Sequence, residues 1–243
     1  MKKILFAIAL AVVATACYTN EGNKAVEVGK LAINAATRNE VANTSEEGRF
    51  YLTDVPAVED LKVEIVGNGE VQSWATLAEF NVANEEMRFI SAPYTITLSH
   101  GDKGVEGWSK PYFEGSTTVE VPMYALTAEA NIEVLLQNSI IAIETTDEFN
   151  GYFPQSSFKV KSFVWSAEKD ELLFLNSGKV TVTCEAVRQT GKSEKFETTV
   201  TLQPTTRHTV LFDISTAGSA KVNVTFDGEI AEVTEEFELN ENA

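Results

Sequence analysis

The chain contains few histidines, few cysteines and little positive charge. Its 243 residues include two histidines, two cysteines and 19 lysines and arginines, against 36 aspartates and glutamates. The net charge of −17 makes the surface repel nucleic acid and anionic lipid headgroups. His100 and His208 lie far apart in the sequence and lack the short spacing that metal ligands show. The sequence therefore predicts no nucleic-acid partner, no metal and no cofactor.

The chain also lacks an apolar run long enough to span a bilayer, which needs roughly 20 residues. The run from Ile4 to Val13 is shorter; it follows Lys2 and Lys3 and precedes Ala14-Thr15-Ala16 and Cys17. A charged start, a short apolar stretch, small residues and a cysteine are typical of a bacterial lipoprotein signal peptide. We predict cleavage between Ala16 and Cys17 and acylation of Cys17. The alternatives are an uncleaved anchor helix or an ordinary signal peptide with a chance cysteine.

Acylation of Cys17 would make a membrane the first partner of this protein. Removal of residues 1–16 takes Lys2 and Lys3 away, so the net charge becomes −19. No basic patch remains to attract a membrane, and the acyl chains have to hold the protein there. Each buried CH₂ group contributes about 0.8 kcal/mol, so a multiply acylated cysteine is a durable anchor.

The only other cysteine, Cys184, lies in a segment that alternates as a strand. Val180, Val182, Cys184 and Ala186 share one face, while Thr181, Thr183 and Glu185 share the other. This pattern predicts a buried structural thiol, because a catalytic cysteine requires an accessible, electropositive setting. The chain has no Gly-x-Ser-x-Gly motif and no evident acid–base pair, so we predict that it is not an enzyme.

Strand periodicity dominates the chain after residue 30. Apolar side chains alternate with Thr, Glu, Lys or Asn in segments such as 61–65, 94–98, 196–200 and 221–226. Such alternation is typical of half-buried antiparallel strands. We therefore predict an all-β protein with two tandem antiparallel β-sandwich domains, at residues 30–126 and 127–243, after a lipoprotein signal peptide (residues 1–16) and a tether (residues 17–29). Only residues 74–80 suggest a short helix.

One motif matches a phosphate-binding loop by its letters. Residues 186–193 fit the relaxed pattern, but the segments before and after it alternate as strands. A phosphate-binding loop needs a following helix whose N-terminus faces the phosphates. The sequence therefore predicts a β-hairpin here.

Aromatic residues are the better candidates for ligand contacts. Trp108, Tyr112 and Phe113 lie between predicted strands, and exposed aromatic faces can stack on sugars or anchor a protein partner. The alternative, which we favour, is that these three side chains close one end of a sandwich. Trp165 lies where both strand faces carry apolar groups, which predicts that it fills the space between sheets or domains.

The C-terminal segment combines strand alternation with a run of acidic residues. Ala231, Val233, Phe237 and Leu239 alternate with polar or acidic residues, and one carboxylate, Glu235, is out of pattern. Residues 227–243 contain seven carboxylates without a Lys or Arg. This pattern predicts a charged edge strand, which would resist edge-to-edge pairing with other molecules.

Several segments together resemble a known family. They are the lipobox at Cys17, the strand beginning Gly29-Lys30-Leu31, residues 94–101, residues 108–121, residues 136–149, and the closing pair 209–213 and 222–226. Over residues 29–240 the chain resembles lipoproteins of unknown function from Bacteroidales-type gut and oral bacteria, which are related in style to fimbrillins and cell-adhesion proteins. The resemblance implies paired transthyretin-like or immunoglobulin-like sandwiches, outer-membrane anchoring and no assigned activity. The chain departs from fimbrial subunits in being shorter and in lacking a clear protease-processing site, for which Arg38 is the one weak match. These departures argue against polymerisation.

The functional prediction is a lipid-anchored binding protein of the outer membrane, facing the periplasm or exposed at the cell surface. One hypothesis is an adhesin-like or fimbrillin-related interaction module with a protein or glycan partner. The other is a glycan-capturing lipoprotein beside a transporter, with the aromatic residues Trp108, Tyr112 and Phe113 as contacts.

Overall fold

The structure is a computed structural model that describes residues 28–44, 48–165, 171–216, 219–224 and 237–238. The predicted signal peptide and nearly all of the tether lie outside these residues. The first eleven strands are β1 Val28–Thr37, β2 Glu40–Asn43, β3 Arg49–Tyr51, β4 Lys62–Gly67, β5 Glu70–Trp74, β6 Phe89–Ile90, β7 Pro93–His100, β8 Gly107–Trp108, β9 Phe113–Glu120, β10 Thr127–Leu136 and β11 Ser139–Thr145. The other eight are β12 Gln155–Val160, β13 Phe163–Trp165, β14 Leu173–Leu175, β15 Gly178–Val187, β16 Ser193–Leu202, β17 Thr206–Thr216, β18 Ser219–Val224 and β19 Phe237–Glu238. The all-β prediction is confirmed.

Two short α-helices interrupt the strands within the described residues: α1 Leu77–Asn84 and α2 Asp147–Tyr152. Each begins after a threonine whose hydroxyl accepts a hydrogen bond from a backbone N–H of the first turn. The Glu79 N–H donates to Thr76 Oγ1 at 3.1 Å, and the Phe149 N–H donates to Thr146 Oγ1 at 3.2 Å. Such caps satisfy donors that a helix start leaves open.

The strands form three sheets. The first has the order β5-β4-β7-β9-β10-β1-β6. The second has the order β19-β18-β17-β11-β14-β8, and β2, which pairs with β3, joins it beside β17. The third has the order β13-β12-β15-β16.

The prediction of purely antiparallel sheets is wrong at three pairs. β1 runs parallel to β10, while β11 and β2 each run parallel to β17. Parallel partners require a long connection, and these pairs join segments that are distant in the sequence. Alternation shows which face of a strand is buried, but it carries no information about the direction of the neighbour.

Apolar side chains gather in two cores. The first contains Val63, Ile96, Phe113 and Val134 from the first sheet. The second lies between the other two sheets, and it contains side chains from the third sheet, including Val182 and Cys184, and from the second sheet, including Ile141 and Val210. Cys184 is buried, as predicted.

The middle of the second sheet contributes to both cores. In β11, Ile140 belongs to the first core and Ile141 to the second. In β14, Phe174 belongs to the first core and Leu173 to the second. These strands are therefore covered on both faces, and the two cores abut. β10, which directly follows residue 126, pairs in the first sheet. The division into units 30–126 and 127–243 stays a prediction, since sheet pairing does not test independent folding.

Candidate functional site

The segment 101–113 joins β7 to β9 and carries the three aromatic candidates. It leaves the first sheet, reaches the second sheet and returns. Within it, β8 pairs with β14, where Trp108 lies opposite Leu173. The Ser109 N–H donates to the Leu172 carbonyl at 2.9 Å. We call residues 101–113 the bridging loop, because backbone hydrogen bonds tie it to the sheet shared by the two cores.

A carboxylate fixes the bridging loop on its other side. Glu106 Oε1 accepts from Lys161 Nζ at 2.6 Å and from the Asn176 N–H at 2.8 Å. The Asn176 side-chain amide donates to the Gly104 carbonyl at 3.0 Å. Lys161 follows β12 and Asn176 follows β14, so residues from two sheets hold this loop. Side-chain and backbone hydrogen bonds therefore hold the bridging loop in place at the junction between the two cores.

A second polar cluster lies at the C-terminal end of the loop. The Tyr112 hydroxyl donates to Glu114, whose carboxylate also accepts from Lys103 Nζ at 3.0 Å. The backbone N–H of Tyr112 donates to the side-chain oxygen of buried Asn138. Burial raises the pKa of Tyr112, and the hydrogen bond to Glu114 with that group's negative charge raises it further.

The same contacts act on Glu114 in the opposite direction. Burial alone would raise the pKa of the Glu114 carboxyl. The hydrogen bonds from Tyr112 and Lys103 and the positive charge of Lys103 outweigh it, and the pKa lies below its usual value. Glu114 is therefore held as a carboxylate that stabilises the return of the loop into β9.

The structure does not bring the three predicted contacts to one surface. Phe113 is fully buried in the first core and Tyr112 is also buried. Trp108 is half-buried against the second core, where its ring centroid lies 5.3 Å from that of Trp165 with an interplanar angle of 41°. Only Trp108 presents part of its ring to solvent, and its role as a ligand contact stays a prediction.

The sequence predicted that Trp165 fills the space between sheets or domains, but it did not predict that Trp165 lies beside Trp108. Phe163 and Trp165 in β13 are half-buried beside Trp108, and Val164 between them is exposed. The apolar residues on both faces of residues 158–165 were the available signal. Nothing in the sequence indicated that Glu106 would pair with Lys161, because the two lie 55 positions apart.

The remaining polar candidates lie in settings that serve the fold. Burial raises the pKa of the Cys184 thiol to about 12, with a smaller contribution from Glu185. His208 is buried, and its Nε2 accepts the Gln203 N–H at 2.8 Å. His100 is exposed at the end of β7. Neither the thiol nor the buried imidazole is placed as an accessible nucleophile.

The phosphate-loop pattern is a β-hairpin, as predicted. β15 and β16 pair over their full lengths, and the Arg188 N–H donates to the Lys192 carbonyl at 2.8 Å across the turn. An open depression of about 530 Å³ lies beside the hairpin, with Ser157, Glu185 and Lys195 among its lining residues. Opposed charges line this depression, and it lacks the helix N-terminus that a phosphate-binding loop requires.

Several predictions cannot be placed on this structure. Ala16, Cys17 and most of the predicted C-terminal strand lie outside the described residues. Within the described ranges, no helix is long and apolar enough to cross a membrane. The same ranges contain no cluster of three or more His, Cys, Asp or Glu side chains suited to a metal ion.

Comparison with known proteins gives one family match and several distant matches to solved structures. A family model described as a domain of unknown function (DUF4493) matches residues 21–241. This match confirms the resemblance to a family of unknown function. No curated protein sequence matches the chain.

Three of the solved structures that the comparison found have the following measures of likeness. A Bacteroides thetaiotaomicron structure of "putative polysaccharide binding proteins" has a TM-score of 0.44 and 9% identity, over 85% of this chain and 99% of that chain. A fimbrial assembly protein from Parabacteroides distasonis has a TM-score of 0.42 and 7% identity, and the match covers 75% of this chain and 91% of that chain. A "putative cell adhesion protein" from Bacteroides eggerthii has a TM-score of 0.40 and 9% identity, and the match covers 88% of this chain and 94% of that chain.

Proposed function

This chain belongs to the DUF4493 family, and from that premise we propose that it is a lipid-anchored binding protein of the cell envelope, an adhesin-like or fimbrillin-related interaction module that acts without catalysis. The observation that carries the proposal is the lipobox order that ends in Ala16-Cys17, placed before an all-β body. Acyl chains on Cys17 anchor the protein in the outer membrane, facing the periplasm or the cell exterior.

The proposed body consists of two tandem β-sandwiches, transthyretin-like or immunoglobulin-like. Support comes from the second core, where the third sheet faces the second sheet and both contribute side chains. The bridging loop supports a fixed arrangement of the two cores, because Glu106 binds Lys161 and Asn176 there. Such a body suits a binding protein, which needs a rigid surface held at a defined place.

The absence of catalysis is proposed from the setting of the reactive groups. Cys184 is buried with a strongly raised pKa, and His208 is buried with its Nε2 occupied by a backbone N–H. A nucleophile and a general base require access to substrate and a mutual hydrogen bond. The settings described for Cys184 and His208 are structural ones.

The anchor is tested by changing Cys17 to Ser. Metabolic labelling with a fatty-acid probe is expected to mark the wild-type protein, which should partition into the detergent phase. The Cys17→Ser variant should carry no label and remain in the aqueous phase. Cys184→Ser is the matched control and should be labelled like the wild type, because Cys184 is buried. Label that persists in Cys17→Ser would contradict the anchor.

Glycan capture beside a transporter is the second candidate function, because the tilted, half-buried pair of Trp108 and Trp165 could stack on a sugar. Glycan arrays and enrichment of bound partners would separate it from protein binding. Trp108→Ala is expected to lower the melting temperature, since the ring packs on the second core. An unchanged melting temperature with lost glycan binding would instead identify the bridging loop as a binding site.

A further inference from the structure

Three chain segments meet where the tether becomes strand β1. The Ala125 N–H donates to the Val28 carbonyl at 2.8 Å, and the Lys30 N–H donates to the Leu126 carbonyl at 2.8 Å. Ile90 lies opposite Val28 in the pairing of β6 with β1. The loop between β9 and β10 and the short strand β6 therefore flank the first described residues of the chain.

This meeting point presents large apolar side chains to solvent. The exposed fraction is 48% for Ile90, 41% for Met123, 63% for Tyr124 and 60% for Leu126. We call these four residues the tether patch. Scattered apolar residues are ordinary on protein surfaces, whereas several gathered at one place indicate a contact surface.

The backbone of the loop is held in an uncommon conformation that presents this patch. Tyr124 and Ala125 have φ values of 66° and 58°, in the left-handed region that side chains with a Cβ seldom occupy. Gly29 is packed so closely that a Cβ there would lie 2.3 Å from the Pro122 carbonyl oxygen. Close packing at Gly29 fixes the loop, yet Tyr124 and Leu126 at its tip remain outside the core. Internal packing thus explains the position of the loop and leaves its exposed side chains without a role.

The position of the patch identifies its occupant. Ten residues separate Cys17 from Val28. Ten residues reach at most about 36 Å even when fully extended. A lipid on Cys17 therefore keeps the tether patch close to the bilayer surface. A surface held this close binds at a high effective concentration, so a small patch is sufficient.

From these observations we infer that the tether patch seats in the lipid interface of the membrane that holds Cys17. Leu126, Ile90 and Met123 would enter the acyl boundary, while the Tyr124 ring would lie at headgroup level, where tyrosine is enriched. The inference rests on the proposed anchor. It adds an orientation: the start of β1 is proximal to the membrane, and its far end, about 30 Å away at 3.3 Å per residue, is distal.

The net charge of the protein indicates that the tether patch contacts the membrane through apolar side chains and not through electrostatic attraction. The mature chain has a net charge of −19 and gains nothing from anionic lipid. The seated state should therefore form on neutral vesicles and be insensitive to salt, unlike the binding of a basic surface.

The test uses the full acylated protein reconstituted into vesicles of neutral phosphatidylcholine. Tyr124→Cys is labelled with an environment-sensitive fluorophore; Cys17 is blocked by lipid and Cys184 is buried. Tyr51→Cys is the matched control, because Tyr51 is 54% exposed and lies in β3, opposite Glu40, just beyond the far end of β1. Because position 124 would lie at headgroup level, a quencher carried on the lipid headgroups should reduce emission from position 124 by about twofold. Emission from position 51 should not change.

The outcomes separate this inference from the proposed function. Acylated protein with equal, weak quenching at positions 124 and 51 would overturn the inference and leave the anchor intact. Mass spectrometry that finds Cys17 unmodified would overturn both. A shift at position 124 that follows protein concentration and is unaffected by the lipid quencher would assign the patch to a second copy of the chain, and would also overturn the inference. Quenching confined to position 124 and unchanged by salt would support it.

Discussion

At the scale of single residues, Glu114 shows how a partly exposed carboxylate is used to stabilise a loop. Its carboxylate accepts from the Tyr112 hydroxyl and from Lys103, and its backbone carbonyl accepts from the Gln137 side chain at 3.0 Å. These contacts join the loop after β7 to the start of β9. The polar groups that hold the bridging loop were not recognisable in the sequence, because each is an ordinary surface residue whose partner is set by the fold.

The lowered pKa of Glu114 predicts how stability depends on pH. A carboxyl whose pKa is lower in the folded state contributes stability above its unfolded value, near 4.5, and loses it as the pH falls through the folded value. Glu114→Gln should therefore flatten the fall in melting temperature below pH 4.5. Glu120→Gln, which removes a carboxylate at an exposed position of the same strand, is the matched control. Equal slopes in all three proteins would contradict this account.

At the scale of elements, alternation predicted strands well and their partners poorly. Segments 94–98 and 196–200 lie in β7 and β16, and segment 61–65 lies in β4 except for its first residue. The parallel pairing of β1 with β10 was missed, because both strands alternate in a way that suits either direction. The short helix expected at residues 74–80 is only partly right, because Trp74 ends β5 and α1 runs from Leu77 to Asn84. The helix begins just after Thr76, and Glu79 lies three residues further on, which is the spacing of a capping box.

Two glycines in the bridging loop provide a matched pair for testing its role. Gly101 and Gly104 both have left-handed φ values, 85° and 80°. A Cβ at Gly101 would lie 2.3 Å from the Pro111 carbonyl oxygen, whereas a Cβ at Gly104 would meet nothing within 4 Å. Gly104→Ala should cost only the backbone penalty of about 1–2 kcal/mol.

Gly101→Ala should cost clearly more than Gly104→Ala, because it also forces the loop away from residues 111–112. Urea denaturation of both variants measures the difference. Equal losses would show that the contact between Gly101 and Pro111 does not hold the loop in place.

At the scale of the whole molecule, the second sheet organises the chain. β11 and β14 are buried on both faces, so the two cores share a wall. The sequence contained this signal in the uninterrupted apolar runs Ile140–Ile143 and Leu172–Leu175, since a strand covered on both sides loses its alternation. The sequence could not predict which core each face of β11 and β14 contacts. That depends on the long-range pairing of β11 with β17 and of β8 with β14.

The C-terminal strand can pair either within its own chain or with a neighbouring subunit. Within the described residues, β19 pairs with β18 of the same chain, with Ala220 opposite Phe237 and Ser219 opposite Glu238. This pairing shows that β18 can accept the strand within one chain, and we predict self-complementation rather than donation of the strand to a neighbouring subunit. Seven carboxylates in residues 227–243 would also repel an equally acidic neighbour at low salt.

Deleting residues 230–243 should therefore lower the melting temperature of the purified monomer, because β18 loses one of its two neighbouring strands and keeps only β17. Phe237→Ser and Glu238→Ser form a matched pair that keeps the chain length. The alternation of residues 231–239 predicts that the phenylalanine change destabilises the monomer more than the glutamate change. If the truncated protein melts like the wild type but loses a ladder of higher assemblies on mild detergent gels, the strand is donated to a neighbour. Removal of β1 by cleavage after Arg38 would then create the required vacancy, since β1 lies between β10 and β6.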